Sequence, residues 1–121
     1  SVLAPMPLVA AYTASKTAVE GFTASLALEL AEFGVQARLV QPGYGPTTRF
    51  AANGSERMQG LVPDAYAGYA RKVFALLTRP AAVTTEADVA DAVWRAATEA
   101  DGPLRRAAGA DAVALAQAAA A

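Results

Sequence analysis

The chain has 121 residues, 55% of them hydrophobic and 17% charged, with a formal net charge of −1; this suits one compact domain and excludes a disordered chain. Ten basic and eleven acidic residues are scattered without a basic stripe, which argues against nucleic-acid binding. Cysteine and histidine are both absent, removing disulfides, Ser-His-Asp and Cys-His catalysis and most metal sites, so acid–base chemistry falls to Tyr, Lys, Asp or Glu.

Along the chain, Ser1 to Leu3 read as the tail of a strand, and a loop punctuated by Pro5 and Pro7 follows to Ala11. No positive segment precedes this stretch, so it makes a poor signal peptide, and the start without methionine suits an excised or processed product. From Tyr12 to Phe33 the pattern is helical: Val19, Phe22, Leu26, Leu30 and Phe33 form one apolar stripe. Ala14, Ala18, Gly21 and Ser25 make a second face of small residues, and Gly34 is the expected stop. Val35 to Gln41 reads as a strand apolar enough to be covered on both faces, ended by Pro42 and Gly43.

The segment from Tyr44 to Val62, rich in Gly, Thr, Ser and Asn, reads as a long loop, and loops of that length are usually functional or mobile. Pro63 opens a second predicted helix running to about Arg79 and ended by Pro80. Thr85 has the character of an N-cap, with Glu86 and Asp88 in the first turn of a third helix, where they complement its dipole. After a break at Asp101, Gly102 and Pro103, a short strand is expected over Leu104 to Ala107, then a fraying alanine-rich helix beyond Asp111. This order fits an α/β layer architecture. No run of eighteen apolar residues occurs, so no transmembrane helix is expected. Alanine supplies much of the apolar fraction, so the core should be thin.

Tyr12 and Lys16 stand four apart at a helix start and project from one side. A free phenol, with a pKa of about 10, is a poor proton shuttle at neutral pH. A nearby ammonium and the positive end of a helix dipole both favour the phenolate, and a phenol so placed can exchange a proton with an alcohol or carbonyl oxygen. Alone the pair reads more readily as the start of a surface helix with a solvated lysine, and Pro42-Gly43 alone reads more readily as a strand-ending turn.

The surrounding residues add to it. Tyr12-Thr13-Ala14-Ser15-Lys16 leads into Thr17-Ala18-Val19-Glu20-Gly21-Phe22, then Leu28-Glu29-Leu30 and Phe33-Gly34-Val35, and later Pro42-Gly43-Tyr44-Gly45-Pro46-Thr47 and Glu86-Ala87-Asp88-Val89-Ala90. This run resembles the short-chain dehydrogenase/reductase family, with its Tyr-x-x-x-Lys helix and Pro-Gly-x-x-x-Thr loop, most closely over residues 10 to 50. The resemblance implies the C-terminal part of a Rossmann-like doubly wound parallel sheet and hydride transfer between NAD or NADP and an alcohol or carbonyl. It implies Tyr12 as general acid/base and Lys16 as its electrostatic partner and a ligand of the nicotinamide ribose. Pro42 and Gly43 would pass behind the nicotinamide, and Thr47 would hold its carboxamide or the adjacent phosphate. Ser1 would stand for the family's substrate-binding serine, although only ten residues separate it from Tyr12, about two fewer than is usual in the family. Ser15 would be structural. Tyr44, Phe50, Met58, Leu61 and Val62 would line the substrate site, or else serve as core or dimer contacts.

The family's glycine-rich pyrophosphate turn is not found in residues 1–121, nor the residue that chooses NAD or NADP. The chain is therefore expected to be the C-terminal half of a single Rossmann-like domain, without its nucleotide-binding half and inactive in isolation. The carboxyl-terminal pattern resembles the branch with hydroxysteroid and retinol dehydrogenases, which implies a lipophilic alcohol or ketone. A homo-oligomer through the Tyr12–Phe33 helix and a cytoplasmic location complete the expectation. The competing reading is a catalytically incompetent module that binds itself or a partner. An epimerase or dehydratase of the extended branch shares Tyr-x-x-x-Lys, but the Pro-Gly-x-x-x-Thr loop argues against it.

Overall fold

Two short strands, β1 (Leu39–Pro42) and β2 (Arg105–Ala108), lie side by side in parallel, with Leu39 opposite Arg105 and Pro42 opposite Ala108. Parallel neighbours require a crossover, which the intervening helices supply. The computed structural model describes residues 2–77 and 82–121. Its helices are α1 (Ala10–Ala31), α2 (Phe50–Met58), α3 (Ala67–Leu77, entered by a 3-10 turn at Asp64–Tyr66), α4 (Glu86–Thr98) and α5 (Ala110–Ala120). α4 packs on both strands and α5 on β2. The fold is thus α/β, with a parallel sheet as expected.

Among the described residues the core is small: Ala70, Val73, Ala92, Ala108 and Ala112 are buried, together with Thr84. Four of these five apolar residues are alanines, whose burial removes little surface from water. The apolar stripe of α1 remains outside this core. No residue of α1 is buried, and Phe22 is 68%, Leu28 77% and Phe33 78% exposed. What ties α1 to the sheet includes an ion pair between Glu20 and Arg105 of β2.

The helix ends follow local chemistry. Gly34, at φ +68, takes the left-handed conformation that lets its N–H reach the Ala31 carbonyl at 3.1 Å and the Val35 N–H reach that of Leu30 at 3.1 Å. Thr85 caps α4 as expected: its hydroxyl accepts the Asp88 N–H at 3.2 Å, and the Asp88 carboxylate accepts the Thr85 N–H at 2.8 Å. At the other end of α4, Arg38 donates to the carbonyls of Ala96 (2.8 Å), Glu99 and Ala100 (2.9 Å) and to the Gln36 side chain (2.6 Å).

Several expected boundaries move. α1 begins at Ala10, two residues before Tyr12. The strand expected from Val35 pairs only from Leu39, because its ladder partner starts near Leu104, after a proline with no N–H to give. The segment Tyr44–Val62, expected to be a loop, contains the nine-residue α2. The second predicted helix begins with the 3-10 turn and is described to Leu77; its expected end at Arg79 and Pro80 lies outside the described residues. The tail is helical to Ala120. No helix among the described residues is long and apolar enough to cross a membrane.

Candidate active site

Tyr12 and Lys16 sit one turn apart near the start of α1 and share a side of it: the Lys16 Nζ lies over the Tyr12 ring, 5.5 Å from its centroid. That is within reach of a cation–π contact. Tyr12 is 40% exposed, so a small molecule can approach it. Phe50, the first residue of α2, meets the Tyr12 ring edge-on, with centroids 6.2 Å apart and planes at 63°. Ser15 donates its hydroxyl to the Tyr12 carbonyl at 2.7 Å and Thr17 to the Thr13 carbonyl at 2.9 Å, so both are engaged with their own helix backbone.

The residues after β1 form a second group. Gly43 donates its N–H to the hydroxyl of Thr84 at 3.0 Å and to the Ala108 carbonyl at 3.2 Å. Tyr44 donates its N–H to Asp111 at 2.6 Å, and its carbonyl accepts the Thr84 N–H at 2.7 Å. Thr84 in turn donates its hydroxyl to the other Asp111 oxygen at 2.6 Å. Burial pushes the Asp111 carboxyl up, but hydrogen bonds from the Thr84 hydroxyl and the N–H groups of Tyr44, Ala112 and Asp111 itself outweigh it and hold the carboxyl below its ordinary range. Nothing in the sequence reading pointed to Thr84 or Asp111; the one signal was a polar residue followed by a capped helix at one point, and a Gly-x-Asp at the other.

Thr47 is exposed, yet its hydroxyl donates to the Glu86 carboxylate at the start of α4 at 2.8 Å. That bond, with the Glu86 N–H, holds the Glu86 carboxyl below its ordinary range against a smaller opposing effect of burial. With its proton committed, the Thr47 oxygen has lone pairs to offer, and an anionic carboxylate stands beside it. This pair suits an amide NH2 and repels a phosphate.

Tyr44 is 46% exposed, and Pro42 is exposed beside it at the end of β1. Met58 closes α2, about 12 Å along the helix from Phe50, and is half-buried. Leu61 is exposed and Val62 half-buried. Ser1 lies outside the described residues. The structure thus joins Tyr12, Lys16 and Phe50 in one contact group, and Gly43, Tyr44, Thr84 and Asp111 in another, with Thr47 and Glu86 alongside. An open cleft lined by Leu3, Glu20, Gln41, Arg105 and Ala116 does not include Tyr12. No group of acidic residues among the described residues could hold a metal ion.

A family model described as short chain dehydrogenase matches residues 1–58. Among curated proteins, the chain is similar to YusZ of Bacillus subtilis (strain 168), described as an uncharacterized oxidoreductase. The two are 32% identical over 101 residues, a match that takes in 82% of this chain and 36% of the relative's length. No solved structure matches the chain significantly.

Proposed function

This chain belongs to the short-chain dehydrogenase family, and from that premise we propose that it carries the proton-transfer helix and nicotinamide-side loop of an NAD(P)(H)-dependent oxidoreductase acting on an alcohol or carbonyl. The observation that supports it best is the placement of Lys16 Nζ over the Tyr12 ring on one accessible side of α1. In this reading Tyr12 exchanges a proton with the substrate oxygen. Lys16 steadies the negative charge that the phenol oxygen carries during transfer, assisted by the nearby N-terminus of α1, and donates to the cofactor ribose. A bound nicotinamide supplies or accepts the hydride. Thr47 and Glu86 receive its carboxamide, and Pro42 and Gly43 stand behind the ring. Phe50 beside Tyr12, together with Tyr44 and Met58, offers apolar side chains that suit a lipophilic alcohol or ketone. Ser1 holds the substrate oxygen. The pyrophosphate is held by a nucleotide-binding half outside residues 1–121, without which the chain is inactive.

Tyr12→Phe in the natural polypeptide tests this. Turnover followed by nicotinamide absorbance should fall by about 10²–10⁴-fold, the usual contribution of a general acid/base, while the affinity for NAD(P)H stays within about twofold. Unchanged turnover would remove Tyr12 from the reaction.

The exposed apolar side of α1 favours a second reading, self-association through the Tyr12–Phe33 helix, which accompanies the enzyme or stands alone if no activity exists. Sedimentation should show an oligomer that Phe22→Glu dissociates.

A further inference from the structure

We infer that Asp111 is a positioning residue for the nicotinamide-side loop, setting the backbone of Gly43 and Tyr44 from 67 residues away in the chain. The inference rests on the reading above, in which that backbone backs the nicotinamide, and it concerns a residue outside the segment 1–58 that the family model matches.

Three observations carry it. First, both carboxylate oxygens are engaged with the loop, one directly and one through a relay. Oδ2 accepts the Tyr44 N–H at 2.6 Å, while Oδ1 accepts the Thr84 hydroxyl at 2.6 Å, whose oxygen takes the Gly43 N–H at 3.0 Å. With the Tyr44 carbonyl held by the Thr84 N–H at 2.7 Å, the peptide groups on either side of the Tyr44 α-carbon are fixed.

Second, Gly43 has no positive φ, so its backbone conformation does not call for glycine. What calls for it is space: a methyl group on Gly43 would overlap the Asp111 carboxylate. Gly109, two residues before Asp111, has a positive φ of +96 that itself favours glycine, and a methyl there would also overlap the Thr84 side chain. Two glycines, one just past the end of each strand, each clear room for one member of the node.

Third, among the described residues Asp111 makes no ion pair. Its charge faces neutral donors of defined direction, an arrangement that fixes orientation.

Asparagine can keep this geometry. Its oxygen accepts the Tyr44 N–H, its amide donates to Thr84, and the Thr84 hydroxyl turns to the Ala108 carbonyl, already 3.0 Å away. Alanine keeps none of it. The test is the affinity of the natural polypeptide for NADH or NADPH relative to the matching ADP-ribose, which lacks the nicotinamide, measured by calorimetry for the unaltered protein, Asp111→Ala and Asp111→Asn. Asp111→Ala should weaken the nicotinamide dinucleotide roughly tenfold more than the ADP-ribose, and Asp111→Asn should restore most of that preference. A general loss of structure would weaken both ligands alike, and an unchanged ratio in Asp111→Ala would overturn the inference while leaving the functional reading intact. If Asp111→Ala does not fold, Thr84→Val reads the same ratio, with a smaller shift of about threefold expected and no shift overturning the role. An unaltered protein that binds no nicotinamide dinucleotide would overturn the functional reading itself.

Discussion

Thr47 donates its hydroxyl proton to Glu86 at 2.8 Å across 39 residues, fastening the segment after β1 to the first turn of α4. Glu86 shares that turn with Asp88, whose carboxyl is held below its ordinary range by the backbone N–H and hydroxyl of Thr85 against burial and the charge of Asp111. With Asp111, three carboxylates near one end of the sheet bind protons less readily folded than unfolded. Stability therefore rises with pH through the acid range. Their contribution is complete above the ordinary carboxylate range near pH 4 and is lost as pH falls through the lower folded-state values. Thermal melts between about pH 3 and 7 should show a melting temperature that falls on acidification, with a shallower fall in Glu86→Gln and Asp111→Asn.

Thr84 is the only polar residue among the buried residues described, and its hydroxyl is both donor to Asp111 and acceptor for Gly43. Thr84→Val preserves shape but strands Asp111 Oδ1 and weakens the hold on Gly43. Its cost should be about 2 kcal/mol, the penalty for an unmet hydrogen bond in a buried setting. Thr84→Ser, which retains the hydroxyl, should cost less than half of that. Urea denaturation of the three proteins checks the order.

Arg38 gives partners to the carbonyl of Ala96, in the last turn of α4, and to those of Glu99 and Ala100 just past it. Those carbonyls have none within the helix, and a guanidinium can serve several at once. Arg38→Ala should destabilise by about 2–3 kcal/mol, given the strength of hydrogen bonds to a charged donor. Arg38→Lys should recover the smaller part, because an ammonium lacks the fork. Hydrogen exchange should show the loss concentrated in the C-terminal turn of α4 and the adjoining β1.

Local signals were legible wherever the chemistry was local. The Thr85 cap, the Gly34 stop and the shared side of Tyr12 and Lys16 depend on residues within one or two turns of each other, and each stands as read. α2 was missed because Asn53, Gly54 and Ser55 are weak helix formers; the spacing of eight between Phe50 and Met58 was the signal available. The start of β1 was misplaced because Val35 to Arg38 has the apolar pattern of a strand but no ladder opposite. The node of Gly43, Thr84 and Asp111 was invisible for a different reason. Its members stand 41 and 27 residues apart, and neither a lone threonine nor a lone aspartate declares a partner at that distance. The apolar stripe of α1 was read as a pattern, yet Val19 and Phe22 stay exposed and Leu26 and Leu30 only half-buried, because an alanine core of this size offers the stripe no full counterpart.

The long reach of Asp111 orders events in time. Closing a chain over that many residues carries a large entropic cost and is slow compared with helix formation, so α1 can coil long before the turn following β1 acquires its final shape. During synthesis, a polypeptide that has emerged only as far as β2 offers Tyr44 no carboxylate and Thr84 no acceptor on α5. The segment that identifies the family by its Pro-Gly pair is thus among the last to take form, and it does so only when the C-terminal helix swings into place.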